Sequence, residues 1–181
     1  YGKRWLELEP DNPEAQKLVS DCEGYLSEEP VEMYGEADWD AVEKHIEKYF
    51  GYYDYVFHES VSTGIHLDIC VIPPRKDHNY YTLVTFGMGA HRMNVPEELT
   101  EKKLERAELL INLPPDWKLS EKDWQEEKWY WPIDVLKWIA RIPVKDRNTW
   151  LGWGHTISSG EPFAESTKLC GAMSVSYTHL R

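Results

Sequence analysis

Residues 65–96, IHLDICVIPPRKDHNYYTLVTFGMGAHRMNVP, hold the two clearest strand signals in the chain, separated by a sharp break. Ile65, Leu67, Ile69 and Val71 alternate with His66, Asp68 and Cys70, the period of two that sets an apolar face against a mixed one. Pro73 and Pro74 then remove two backbone donors and fix two φ angles, so the strand must stop there. The polar run 75–79 reads as a loop, and residues 80–86, rich in aromatic and β-branched side chains, read as a second strand ending at Gly87-Met88-Gly89. An isolated hairpin is marginally stable in water, so further strands or helices must cover this pair.

The 181 residues, 41% hydrophobic and 29% charged, have an ordinary globular composition, long enough for one full domain and a piece of another. There is no apolar run of about 18 residues and no basic-then-apolar leader, so neither a membrane partner nor secretion is expected. The first residue is Tyr1 rather than Met, and sequence ahead of it is expected. Cys22, Cys70 and Cys170 are far apart and odd in number, which argues against a disulfide framework or a paired-cysteine zinc site and for a reducing, cytoplasmic setting. A formal net charge of −12, with Lys102-Lys103 as the longest basic cluster, excludes nucleic acid as a natural partner and favours a basic protein.

In chain order, residues 1–28 read as a helical hairpin. Asn12 is a good N-cap, Pro13 suits the first helical position, and Ala15, Leu18, Val19, Cys22 and Leu26 share a face. An acidic, aperiodic linker is assigned to 29–37. A helix follows from Asp38 or Asp40, with Trp39, Val42, Ile46, Tyr49 and Phe50 on one side and Gly51 as its stop. Strands are expected at 52–60, 106–113, 150–157 and 167–175. A short charged helix is expected from Pro96 to Lys103. Ser120 with Asp123 resembles a capping box, and Pro132 is expected to open a separate helix carrying Ile133, Leu136, Ile139 and Ala140. The fold class is therefore mixed α+β, a mostly antiparallel or mixed central sheet covered by helices.

Two resemblances emerge from these residues. WLELEPDNPEAQKLVSDCEGYL resembles the junction between two tetratricopeptide (TPR) repeats, and implies that residues 1–28 are the remnant of a longer array. LDICVIPP with NYYTLVTFGMGAHRMNVP, then RAELLINLPPDW, WYWPIDVLKWIARIP, TWLGWGHTI and EPFAESTKLCG resemble the Suppressor of fused domain family in its bacterial form, over residues 38–176. That resemblance implies a mixed α/β domain without established catalysis that binds other proteins; animal members sequester transcription factors, and many bacterial members are associated with toxin systems as immunity proteins. The closing residues depart from the family. Val175 to Arg181 resemble the translated read-through of a sequencing adapter, so 177–181 are given no role and the domain is expected to be truncated.

Enzymatic readings are weaker on the residues themselves. His66 and Asp68, two apart on a strand, would bind a metal with His58 or His155, yet satisfied polar residues on a partly exposed sheet face account for them better. Gly87-Met88-Gly89-Ala90-His91-Arg92 mimics the start of a dinucleotide loop but has Arg in place of the third glycine. No G-x-S-x-G elbow occurs, and Glu161 with Glu165 would serve as an acid and base only if they left solvent. The expectation is a non-catalytic binding protein without cofactor or metal, most concretely one that neutralises a basic toxin domain. A TPR-linked adaptor and a metal-dependent hydrolase are the alternatives. The residues assigned to the partner are Trp150, Trp153, His155, Glu161 and Glu165, because large aromatics carry interface energy and Gly152, Gly154 and Gly160 let this backbone stand clear of the core.

Overall fold

The chain divides into two compact units, residues 1–31 and 32–181. The computed structural model describes residues 30–176; the TPR-like remnant at 1–28 and the tail at 177–181 lie outside them. The second unit is a mixed α+β domain. Its main sheet is an antiparallel meander of β1 (Tyr55–Phe57), β2 (Asp68–Ile72), β3 (Tyr81–Phe86) and β4 (Leu110–Leu113), in that order across the sheet. A separate hairpin pairs β5 (Thr156–Ser158) with β6 (Gly171–Met173).

All five residues of β2 are buried, so the expected mixed face of this strand is covered too. Ile69 and Val71 pack with Leu83, Leu113, Ile133 and Leu136, beneath helix α2 (Glu127–Ala140). Cys70 and Ile72 pack with Val84, Phe86 and Ile46 on the other side, beneath helix α1 (Glu36–Phe50). Each fully buried aliphatic side chain contributes roughly 1.5–3 kcal/mol relative to exposure, so both helices are needed to make the central strands worth burying. Ile65 and Leu67 precede the ladder and join a third cluster with Met88, Met93, Trp131, Val135 and Leu151.

Several elements differ from expectation for local reasons. Helix α1 starts at Glu36, with Glu36 and Asp38 placing negative charge at its positive end. Pro132 lies inside α2 instead of opening a new helix. It falls early enough that its missing N–H would have reached only the first turn, and its ring is fully buried. Ser120 and Asp123 do bond reciprocally, but they open only the 3-10 turn Asp123–Gln125. The charged helix after Pro96 is likewise 3-10, spanning Glu97–Lys102. The strands are shorter than expected because flanking residues take other partners. Leu109 N–H donates to Thr85 Oγ1 at 2.7 Å, and Glu108 accepts from the amides of Gly87, Met88 and Gly89 at 3.0, 3.3 and 3.1 Å and from the Tyr34 and Thr85 hydroxyls at 2.5 Å each. Burial pushes the Glu108 carboxyl up while these donors pull it down. The loop that mimics a dinucleotide site therefore has its amides occupied by the protein's own carboxylate. Gly87 has φ 126°, and a Cβ there would stand 2.1 Å from His66 O, so the loop requires glycine.

Strand β1 ends early because His58 and Glu59 enter a polar clasp. Arg141, just past α2, donates through Nη2 to both Glu59 oxygens at 2.6 and 2.7 Å, and through Nε to Thr63 O at 3.2 Å. Both side chains are nearly enclosed, at 10% and 8% exposure. Asp68, buried in β2, accepts the Glu59 amide at 2.9 Å, with His58 Nδ1 3.0 Å and His66 Nε2 3.3 Å from its oxygens. Ser62 Oγ is 2.7 Å from His66 Nδ1. A buried charge is tolerable only when paired this completely.

Arg141→Met removes the close partner of the enclosed Glu59 carboxylate and leaves it Lys137 Nζ at 3.8 Å and the Leu67 amide at 3.3 Å, and is expected to lower stability by about 1–3 kcal/mol in urea unfolding. The Glu59→Gln/Arg141→Met pair is expected to lose clearly less than the sum of the single losses, and strict additivity would refute the clasp. Burial in β2 also pushes the Cys70 thiol up to about 12, leaving a thiolate fraction of about 10⁻⁴ at pH 8. Iodoacetamide at that pH, followed by peptide mapping of the folded protein, is expected to label exposed Cys170 and spare Cys70; equal labelling would contradict a β2 covered on both faces.

Candidate protein-binding site

The β5–β6 hairpin and its flanking turns carry the residues assigned to a partner. Thr156, Ile157 and Ser158 pair with Met173, Ala172 and Gly171. Ile157 and Ala172 pack inward on the cluster that holds Trp131 and Leu151. By the period of two, Met173 then stands outward, and it is 61% exposed. Ahead of β5 the chain makes a turn that borrows its partners from the end of β6. Gly154 N–H donates to Ser174 O at 2.8 Å and Ser174 N–H to His155 O at 2.9 Å, while the Ser174 hydroxyl donates to Gly152 O. Gly154 has φ 82° with open space around it, which suits a projecting turn.

The assigned residues do not share one environment. Trp153 is 79% exposed at the tip of this turn. Trp150 is half-buried and packs on the core. Its ring lies where a Cβ on Gly152 would be, 2.1 Å from Cζ3, so that glycine permits close packing instead of clearance. The ring meets His155 edge to face, with centroids 4.5 Å apart, and His155 Nδ1 is 3.1 Å from Trp150 O. Trp150 and His155 thus brace the turn that presents Trp153. Glu161 and Glu165 are exposed on the loop between the two strands. Phe163 and Ala164 anchor that loop: Phe163 stacks on Trp131 with ring planes 10° apart, and Ala164 is 3% exposed. The loop closes on itself where Phe163 N–H donates to Leu169 O at 2.8 Å.

Sequence reasoning missed Met173 and also Leu169, which is 57% exposed. The available signal was alternation, because Ala172 and Ile157 have small and aliphatic side chains suited to the inner face and leave their neighbours outside. The other residues considered for chemistry lie elsewhere. His66 and Asp68 belong to the Glu59–Arg141 clasp with His58, whereas His155 packs against Trp150. Among the described residues no group of three or more His, Cys, Asp or Glu is arranged to hold a metal ion, and none of their helices is long and apolar enough to cross a membrane.

A second concave feature is a groove of about 570 Å³ lined by Val42, Ile46 and Phe50 of α1, Val84, Leu110 and Arg106. A smaller cavity of about 200 Å³ lies beside Gly51, Arg75 and Tyr80. Neither is lined by Ser62, His66 or Asp68, so the hydroxyl–imidazole–carboxylate sequence in the clasp faces no substrate cleft of the two.

The family model described as Suppressor of fused protein (SUFU) matches residues 63–180. The chain is 29% identical over 147 residues, 80% of its length, to Uncharacterized protein UU111 of Ureaplasma parvum serovar 3, and the aligned region spans 68% of that relative. No solved structure matches it. The family match runs through β2 to β6 and all of α2, which build most of the core and the hairpin; the chain therefore belongs to the Suppressor of fused protein (SUFU) family, a membership in keeping with a non-catalytic, protein-binding role.

Proposed function

We propose that this protein is an immunity-type binding protein that captures a partner toxin and neutralises it by occupying its surface. The observation that carries the reading is Trp153, a tryptophan 79% exposed on a braced turn. A tryptophan held there is suited to binding, because a central aromatic anchor contributes about 2 kcal/mol or more to an interface. Glu161 and Glu165 stand exposed on the adjoining loop, and the net charge of −12 steers a basic partner towards this protein. Binding supplies the inhibition, and no reacting group is required of this chain.

The test is coexpression with each product of the neighbouring reading frames in a growth-rescue assay, with titration calorimetry of any pair that rescues. Rescue by the wild-type chain, a 1:1 complex, and a loss of about tenfold or more in affinity for Trp153→Ala are expected, with a smaller loss for Glu165→Ala. Rescue that persists at full affinity in both variants moves the site away from this hairpin. Rescue by none of the neighbours removes the immunity reading.

A further inference from the structure

Three exposed apolar or aromatic side chains lie along one hairpin. Leu169, Met173 and Trp153 are 57%, 61% and 79% exposed. They are ordered by the backbone: Leu169 precedes β6 beside the 161–165 loop, Met173 is opposite Thr156 on the outer face, and Trp153 adjoins Gly154, which is bonded to Ser174. Residues 169 to 173 alone span about 13 Å of extended chain. Isolated surface apolar residues need no explanation, but an apolar strip on an otherwise acidic protein is a mark of an interface.

Charge selects the occupant. The full chain carries −12, so two copies meeting through this face would bring like charges together, with Glu161 and Glu165 at the Leu169 end of each. The one base in that loop is Lys168. We infer that the outer face of the β5–β6 hairpin, centred on Met173 with Trp153 and Leu169 at its ends, is the contact surface for a folded basic protein. The matching surface has an apolar strip with Lys or Arg placed to meet Glu161 and Glu165. Trp150 and His155 support this surface from behind without touching the partner. This rests on the binding role proposed above, but it does not require the partner to be a toxin.

The test places the photoreactive residue benzoylphenylalanine at Met173 in the full-length protein, with a control at Tyr52, which is 71% exposed on a different part of the domain. After irradiation in the native host, the crosslinked peptide is sequenced by mass spectrometry. The expected result is a crosslink from position 173, and not from 52, to a Lys/Arg-rich segment of another protein. Met173→Asp, checked for folding by circular dichroism, is expected to weaken binding to that purified protein at least tenfold, and raising NaCl from 50 to 500 mM is expected to weaken the wild-type complex. A crosslink within the same chain, to a second copy of it, to an acidic or uncharged segment, or to nothing overturns the inference, as does unchanged affinity in Met173→Asp. A basic partner that proves harmless to cells leaves this surface standing and removes only the immunity reading.

Discussion

Burial of both faces of β2 and β3 is the constraint on which the domain depends. A strand covered on one side can stand at a surface, but one flanked by Ile69 and Val71 on one side and Cys70 and Ile72 on the other needs two layers. Helix α1 and helix α2 supply them, and their register follows from the same alternation: Ile46 meets one set, Ile133 and Leu136 the other. Each departure from regular structure sits where the sheet gives way to a polar partner. The Glu108 carboxylate closes the turn after β3, and the Glu59–Arg141 pair closes the turn after β1. The ends of the strands are therefore finished by polar and charged groups, while the middle of the sheet is packed largely with hydrocarbon.

Much of this was legible in the residues. The alternation that begins at Ile65 reappears as β2 from Asp68 onward, the double proline as the end of that strand, the aromatic run at 80–86 as β3, and the helical face of Trp39, Val42 and Ile46 as α1. What period-two reading could not show was that the second face of β2 is covered as well, because His66, Asp68 and Cys70 look like a solvent-facing set unless a partner for Asp68 is known. That partner set comes from Glu59 and His58, close in sequence, and the enclosing charge from Arg141, far away in it. Pro132 misled for a related reason: local rules forbid proline in a helix interior, while tertiary burial of its ring rewards it there.

The candidate site was legible in outline only. Composition and turn chemistry drew attention to the glycine-rich stretch around Trp153, but the same glycines serve opposite ends. Gly154 lets a turn project, whereas Gly152 lets the Trp150 ring come close against the backbone. A glycine in sequence does not say which. Met173 was missed for a different reason: alternation around Ala172 and Ile157 hints at its outward position, but only the paired strands establish the register.

The Glu59–Arg141 clasp joins residues 82 positions apart. Neighbouring strands in the meander are also neighbours in sequence, so they close comparatively short loops, and the entropy lost in bringing their ends together is modest. The clasp closes a much longer loop and requires α2 to be seated before its ion pair can leave water. By sequence separation alone it is expected to form late on the folding route, after the meander has collapsed. An interaction formed after the transition state does little to hasten folding and much to delay unfolding. On that order of events the buried pair contributes to the kinetic persistence of the native state.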